Sequence, residues 1–175
     1  MKAISSGEEL EETVLSILEL LSNVRGYYVL LIYVKVDVRI SIGKLGVKRF
    51  EKGYYVYIGS ALGKGAVSLG GRIRRHVRKQ KTKMWHIDYL LFNKNAIVKT
   101  VVAGVAGQKM ECRITKRLKE VFHGQTPVVG FGASDCKDNC RSHLLYIKRA
   151  HSIVDMIIDL LLREFDGEIY VLRLR

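Results

Sequence analysis

The run 53-GYYVYIGSALGKGAVSLGGRIRRH-76 decides how the chain is read. It passes from a tyrosine-rich, β-branched strand through a glycine-rich turn into a basic helix. Each part has a physical use. A strand can fix a tyrosine hydroxyl firmly. Glycine lets a phosphate backbone approach closely. A helix that follows at once can present guanidinium donors matched to phosphate oxygens. Residues 68–80 read as that helix, with Leu69, Ile73 and Val77 on one face and arginines around it.

Upstream, 26-GYYVLLIYVKVDVRISIG-43 is β-branched and aromatic, with alternation after Val34, so it reads as one or two strands. Gly43, Gly46 and Gly53 mark turns before a second strong strand at 54–58. The two strands make a hairpin whose tip carries an extended arm, residues 35–53. Ser6 followed by Glu9 is a capping-box signal, and Leu10, Val14, Ile17 and Leu21 then recur at helical spacing. An N-terminal helix of about four turns is expected, ending between Asn23 and Gly26.

Downstream the pattern gives a short helix from Ile87 to Phe92 and a strand at 97–105. Glu111 then opens a basic amphipathic helix through Ile114, Leu118 and Val121. Pro127, Gly130 and Gly132 announce irregular structure before a short strand at 143–147. An apolar helix at 153–165, Gly167 and a strand at 168–175 close the chain. The fold class is α+β: a small, mostly antiparallel sheet flanked by helices, with an extra N-terminal helix and a C-terminal helix–strand unit.

Bulk composition bounds function. The chain has 175 residues, 48% hydrophobic and 27% charged, which suits a packed core and argues against disorder. No apolar run suits a bilayer span and no leader pattern opens the chain, so a cytoplasmic protein with no membrane partner is expected. Three cysteines do not make a disulfide framework. The formal net charge is +13, and the excess is local. From Lys52 to Ile87 no residue is acidic, while Lys64, Arg72, Arg74, Arg75, Arg78, Lys79, Lys81 and Lys83 are basic. A one-signed patch interrupted by glycines and tyrosines attracts polyphosphate; the alternative is a solvated charged face.

These residues carry a resemblance. Residues 26-GYYVL-30 and 57-YIG-59 resemble the two halves of the GIY-YIG nuclease signature, and 69-LGGRIRRH-76 resembles the leucine, arginine, aliphatic and histidine spacing of that superfamily's helix. More narrowly, 53-GYYVYIGSALG-63, 72-RIRRH-76, 85-WHIDYLL-91, 111-EC-112, 130-GFGASDC-136 and 142-SHL-144 resemble the Uri-type endonucleases, a prokaryotic and largely archaeal group. The likeness covers residues 25–147, a GIY-YIG-like nuclease domain, with 1–24 and 148–175 outside it.

The resemblance implies a divalent-metal-dependent endonuclease that hydrolyses phosphodiester bonds in DNA, in repair or processing of structured DNA. Tyr28 and Tyr57 would be the signature tyrosines, Arg72 the helix arginine and Glu111 the ligand of Mg²⁺ or Mn²⁺. His76, one turn after Arg72, can face the same groove as a phosphate contact or a general acid, or make a structural hydrogen bond. Lys64, Arg74, Arg75, Arg78, Lys79, Lys81 and Lys83 would contact nucleic acid, with RNA an open alternative to DNA.

Two departures stand out. The Tyr28–Tyr57 spacing exceeds the superfamily's usual linker. The asparagine that often closes the site after a proline is missing behind Pro127, where Ser134 or Asp135 would stand in.

Other residues keep alternatives. Tyr27, Tyr54 and Tyr55 rival the signature tyrosines, and Glu120 rivals Glu111. His86 and Asp88 belong either to the site or to a Trp85-anchored core element in which the two pair. Cys112, Cys136, Cys140 and His143 have the number and type of a tetrahedral zinc site; a pair of buried thiols or a Cys136–Cys140 disulfide are the alternatives. A non-catalytic nucleic-acid-binding module, and an accessory subunit that docks a repair-protein partner through the 153–165 helix, are the competing functions. A homodimer is a further expectation.

Overall fold

A computed structural model describes residues 7–78, 82–148 and 151–174, with the side chains of residues 7–10 left aside. Five helices are α1 (Gly7–Leu20), α2 (Leu69–Val77), α3 (His86–Phe92), α4 (Glu111–Phe122) and α5 (Ile153–Glu164). Seven strands are β1 (Gly26–Val34), β2 (Val38–Ser41), β3 (Val47–Phe50), β4 (Gly53–Ala61), β5 (Ala96–Val105), β6 (Leu144–Ile147) and β7 (Ile169–Arg173). The α+β expectation holds, and the elements fall where periodicity put them. The Ser6 capping signal, Lys79 and Lys81 lie outside the described residues.

The main sheet has the order β6-β4-β1-β5-β7, antiparallel throughout. β1 is its central strand and is buried on both faces. That burial explains why its sequence, GYYVLLIYV, is a continuous apolar run. Period-two alternation sorts its side chains. Tyr28, Leu30, Ile32 and Val34 enter one core, with Leu18 of α1, Leu69 and Ile73 of α2, and Ile87 and Leu90 of α3. Tyr27, Val29 and Leu31 enter a second core, with Ile114 and Leu118 of α4 and Ile157 and Leu161 of α5. The sheet is thus covered on both sides, each fully buried Leu or Ile contributing ~1.5–3 kcal/mol.

The arm expected between the signature strands is present, and it folds onto the core. It is a two-stranded hairpin, β2–β3, not an extension into solvent. Ile40, Ile42 and Phe50 are buried in the same core as Tyr28 and Tyr57. Asp37 closes its base by accepting from the Arg49 guanidinium and the Lys52 amide, both at 2.8 Å. Alternation places Val38, Ile40 and Phe50 on the inner side, which suffices to lay the hairpin on the core, while Val47 faces outward and is exposed.

β7 pairs with β5 and completes the sheet at that edge. α2 begins at Ser68, whose hydroxyl accepts from the Gly71 amide at 3.2 Å. α4 ends at His123 in a left-handed conformation, φ 48°.

Candidate functional site

Tyr28 of β1 and Tyr57 of β4 lie on the same face of the sheet, two residues out of direct register. α2 crosses that face and delivers His76 and Arg72, one turn apart. The Tyr28 hydroxyl and His76 Nε2 are 2.9 Å apart. The Tyr28 ring is 5.1 Å from the imidazole, and the Tyr57 ring is 6.4 Å from both. The four expected residues therefore converge.

Their environment sets their protonation. Burial pushes Tyr28 up to about 12, although the Arg72 guanidinium pulls it down by charge and hydrogen bond. Burial, then the neighbouring Tyr28, raises Tyr57 further. Both are neutral phenols at neutral pH. With His76 as the Nδ1–H tautomer, Tyr28 donates to Nε2.

Two glycines make room for the rings. A Cβ on Gly59, opposite Tyr28 in the β1–β4 pair, would stand 2.4 Å from the Tyr28 hydroxyl. A Cβ on Gly132, at φ +69°, would meet the Tyr57 ring at 2.8 Å. The glycine of the YIG run is thus required by the tyrosine of the other strand.

Behind this cluster stands the Trp85-anchored element, with a different partner for Asp88 from the one expected. Trp85 lies under two guanidinium groups, Arg72 at 4.5 Å and Arg75 at 4.7 Å from its ring centre. Asp88 is fully buried. Its Oδ2 accepts from Arg75 at 2.7 Å and from the Met84 and Trp85 amides at 2.9 and 3.0 Å. Burial raises the Asp88 pKa, but these bonds outweigh it and hold the group below the ordinary carboxylate range. Arg75 also donates to the Thr82 carbonyl at 2.5 Å.

Two expectations change here. Arg75 is a structural ion-pair partner. Asp88 pairs with Arg75 and not with His86, whose Nδ1 accepts from the Gly132 amide at 3.1 Å. A signal existed: Asp88 is the N3 residue of α3 and accepts from the amides of Met84 and Trp85 just before the helix, half of a capping box.

Glu111 opens α4 at the other side of the sheet's edge. Its Oε2 accepts a short hydrogen bond from Ser60, the residue after the YIG glycine. Ser60 Oγ in turn accepts from the Met110 amide at 3.3 Å. Oε1 accepts no hydrogen bond among the described residues, and the Glu111 charge is felt at both Tyr28 and Tyr57, raising each. One half-buried carboxylate with a free oxygen suits a cation that keeps several waters and takes its other ligands from phosphate. Ser60 was not singled out from sequence; its position one residue beyond YIG, on the α4 side of β4, was the available clue. Glu120 is an exposed ion-pair partner of Arg117. Ser134 and Asp135 are exposed; the Asp135 charge reaches His143.

Next to Glu111 is a candidate metal centre. Ligand atoms of Cys112, Cys136, Cys140 and His143 all lie within 4.8 Å of one another. A tetrahedron with ~2.3 Å bonds to sulfur spaces its corners by about 3.8 Å. Cys112 Sγ is 3.0 Å from Cys136 Sγ and 3.4 Å from His143 Nε2. All three cysteines are free thiols. Crowding shows in their acidities. Cys112 is pushed up, first by burial and then by its hydrogen bonds with Cys140 and Cys136. For Cys136, burial is outweighed by hydrogen bonds from Cys112 and from the Cys140 and Asp138 backbone, which lower it. Burial lowers His143, against the Glu111 charge and a backbone hydrogen bond with Gly132. The set can hold a metal ion such as zinc.

The remaining basic residues differ in availability. Lys64 and Arg78 are exposed. Arg74 makes a loose exposed pair with Glu19 at 3.4 Å. Lys83 lies over the rings of Tyr89 and Phe92, 5.4 and 4.4 Å from their centres.

Fold and site together define an α+β domain with a tyrosine–histidine–arginine cluster, an edge glutamate and a cysteine–histidine centre. The chain belongs to the family described as domain of unknown function DUF123, which matches residues 27–165. No curated protein and no solved structure matches it. Among the described residues no helix is long and apolar enough to cross a membrane.

Proposed function

We propose that the protein is a Mg²⁺- or Mn²⁺-dependent endonuclease of the GIY-YIG superfamily, Uri-type group, that hydrolyses phosphodiester bonds in structured or damaged DNA. The observation that carries this reading is the 2.9 Å contact between the Tyr28 hydroxyl and His76 Nε2, inside a cluster that also holds Tyr57 and Arg72. Phosphoryl transfer needs positioning and charge neutralisation more than covalent chemistry.

Each side chain then has a role. Arg72 presents donors to a non-bridging phosphate oxygen, with its plane set by Trp85. A neutral Tyr28 is a poor base by itself. It works as a relay: its hydroxyl oxygen receives the proton of the attacking water while its own proton passes to His76 Nε2. Tyr57 orients the water or the phosphate beside it. Glu111 would hold the divalent cation through Oε1, while Ser60 fixes the carboxylate's orientation. A cation held there would supply positive charge at the leaving oxygen. Lys64, Arg74, Arg78 and Lys83, with Lys79 and Lys81 of the same run, would track the backbone.

Zinc is the metal proposed for Cys112, Cys136, Cys140 and His143, in a structural role. The centre ties the first turn of α4, which carries Glu111, to the 131–143 loop, whose Gly132 backs Tyr57.

A second reading has its own observation. Tyr28 is 1% exposed, which suits a nucleic-acid-binding module, or an accessory subunit of a repair complex, that keeps the cluster for stability alone. Labelled flap, junction, duplex and single-stranded substrates with Mg²⁺ or Mn²⁺ separate the two. The parent should cleave at least one of them. Glu111→Gln should lower cleavage by ~10³-fold while metal-free binding stays equal or rises. Arg72→Ala should lose cleavage and some binding. A parent that binds all and cleaves none would establish the module instead.

A further inference from the structure

A cavity of about 450 Å³ lies between α4 and the segment 138–145, on the side of the sheet away from Tyr28 and Tyr57. Its size is in the range of small-molecule sites, ~300–1,000 Å³. Cys112 and Cys140 of the cysteine–histidine centre form part of its wall, but the proposed cleavage step uses none of it.

Its lining is chemically lopsided. Lys116, Lys119 and Arg141 stand around it with one carboxylate, Asp138; a fourth cation of the lining, Arg113, is turned to the Glu164 carbonyl and the Phe165 ring. None of the three cations forms an ion pair among the described residues, whereas Arg117, on the same helix, is engaged by Glu120 and Glu164. Lys119 makes only a long hydrogen bond to Thr126, 3.4 Å. Leu145 gives an apolar wall. Thr115 also lines the cavity. It is 5% exposed, and its hydroxyl is buried with no hydrogen-bond partner among the described residues. A buried orphan hydroxyl costs about 1–3 kcal/mol. Threonine in a helix divides between two χ1 rotamers, so a turn about χ1 can bring this hydroxyl to a ligand.

We propose that this cavity is a binding site for a phosphomonoester of mononucleotide size, with the phosphate held by Lys116, Lys119 and Arg141 and the organic body lying against Leu145. Three uncompensated cations match a dianion. The apolar wall asks for more than inorganic phosphate. The ligand is either a free nucleotide or the phosphorylated end of a nucleic-acid strand; both present the same chemistry. The inference does not rest on the nuclease reading, because these residues lie apart from the tyrosine cluster.

The test uses the full chain. dAMP, deoxyadenosine and inorganic phosphate are titrated calorimetrically. Short oligonucleotides with and without a terminal phosphate are compared by fluorescence anisotropy. Either dAMP or the phosphorylated oligonucleotide should bind at least tenfold tighter than its unphosphorylated counterpart. dAMP binding identifies a free nucleotide; preference confined to the oligonucleotide identifies a strand end. Lys116→Glu, an exposed change, should weaken that ligand at least tenfold. Thr115→Val, nearly isosteric, should weaken it about threefold with an unchanged melting curve, and Lys44→Glu on the distant hairpin should leave dAMP binding as in the parent. No preference for the phosphate in either arm, or a preference that survives Lys116→Glu, overturns the site. Cleavage by the parent is scored separately, so failure here leaves the nuclease reading untouched.

Discussion

Tyr27 and Tyr28 are neighbours in the chain, equally buried, and point to opposite faces of β1. Each lies over a glycine of the paired strand. A Cβ on Gly104 would stand 2.3 Å from the Tyr27 hydroxyl; one on Gly59 would stand 2.4 Å from that of Tyr28. Strand, burial and glycine are alike, and what differs is the element packed above. Over Tyr27 lies the apolar α4–α5 layer, with Phe165 6.3 Å from its ring, and burial alone raises its pKa. Over Tyr28 lies α2, which brings an imidazole and a guanidinium. In the proposed reading a strand tyrosine becomes chemical when a helix carries polar groups to it, with a supporting ion pair deeper in.

That support is the first place to break the contrast. Asp88→Asn breaks the ion pair between the fully buried Asp88 and the half-buried Arg75, which costs up to about 3–5 kcal/mol, roughly 10–15 °C in melting temperature for a chain of this size. The pH dependence follows from the sign of the shift. The folded Asp88 pKa lies below its unfolded value of ~3.9, so its contribution is complete above that value and is lost as pH falls through the folded pKa. Denaturant melts below about pH 4 should therefore narrow the gap between parent and variant. A gap that is constant from pH 7 to pH 3 would contradict the ion pair.

Loss of the metal centre should come next. A four-ligand cross-link closes chain loops much as a disulfide does, for ~2–4 kcal/mol. Metal analysis of purified protein should find one zinc per chain. Cys140→Ser should lose the metal and melt lower, and the tyrosine cluster should suffer through the Gly132 loop more than the Tyr27 face does. Protein that is metal-free as purified, with a melting curve indifferent to chelator, would remove the centre from the account.

The two glycines give a smaller, paired effect. Gly59→Ala and Gly104→Ala each force a ring aside, at about 1–3 kcal/mol by overpacking. The stability costs should be similar. Cleavage by the folded protein should fall only for Gly59→Ala. Equal losses of cleavage would mean that both faces matter in the same way.

Much of this was legible in the sequence because period and punctuation are local. β1 reads as a buried strand from GYYVLLIYV, and Arg72 with His76 reads as one helix face from their spacing of four. The cysteine centre was legible as composition but not as spacing, since Cys112 is separated from its partners by the rest of α4 and an irregular loop. The Arg75–Asp88 pair was not legible. It joins two helices across a connection, and nothing near Arg75 distinguishes it from the solvated arginines beside it. The hairpin at 35–53 was legible as strands, yet its packing depended on Phe50 finding Tyr55 and Phe131, a tertiary event.

The most direct test sets the two adjacent tyrosines against each other. Tyr27→Phe and Tyr28→Phe each remove one hydroxyl and keep the ring, so the folds should be comparable. With a divalent cation and a substrate that the parent cleaves, Tyr28→Phe should lower the rate by about 100-fold or more, as expected for loss of a proton-transfer group, while Tyr27→Phe stays within about twofold of the parent because its ring keeps the packing that its face requires. Equal rates for the two variants would contradict the assignment of chemistry to the Tyr28 face.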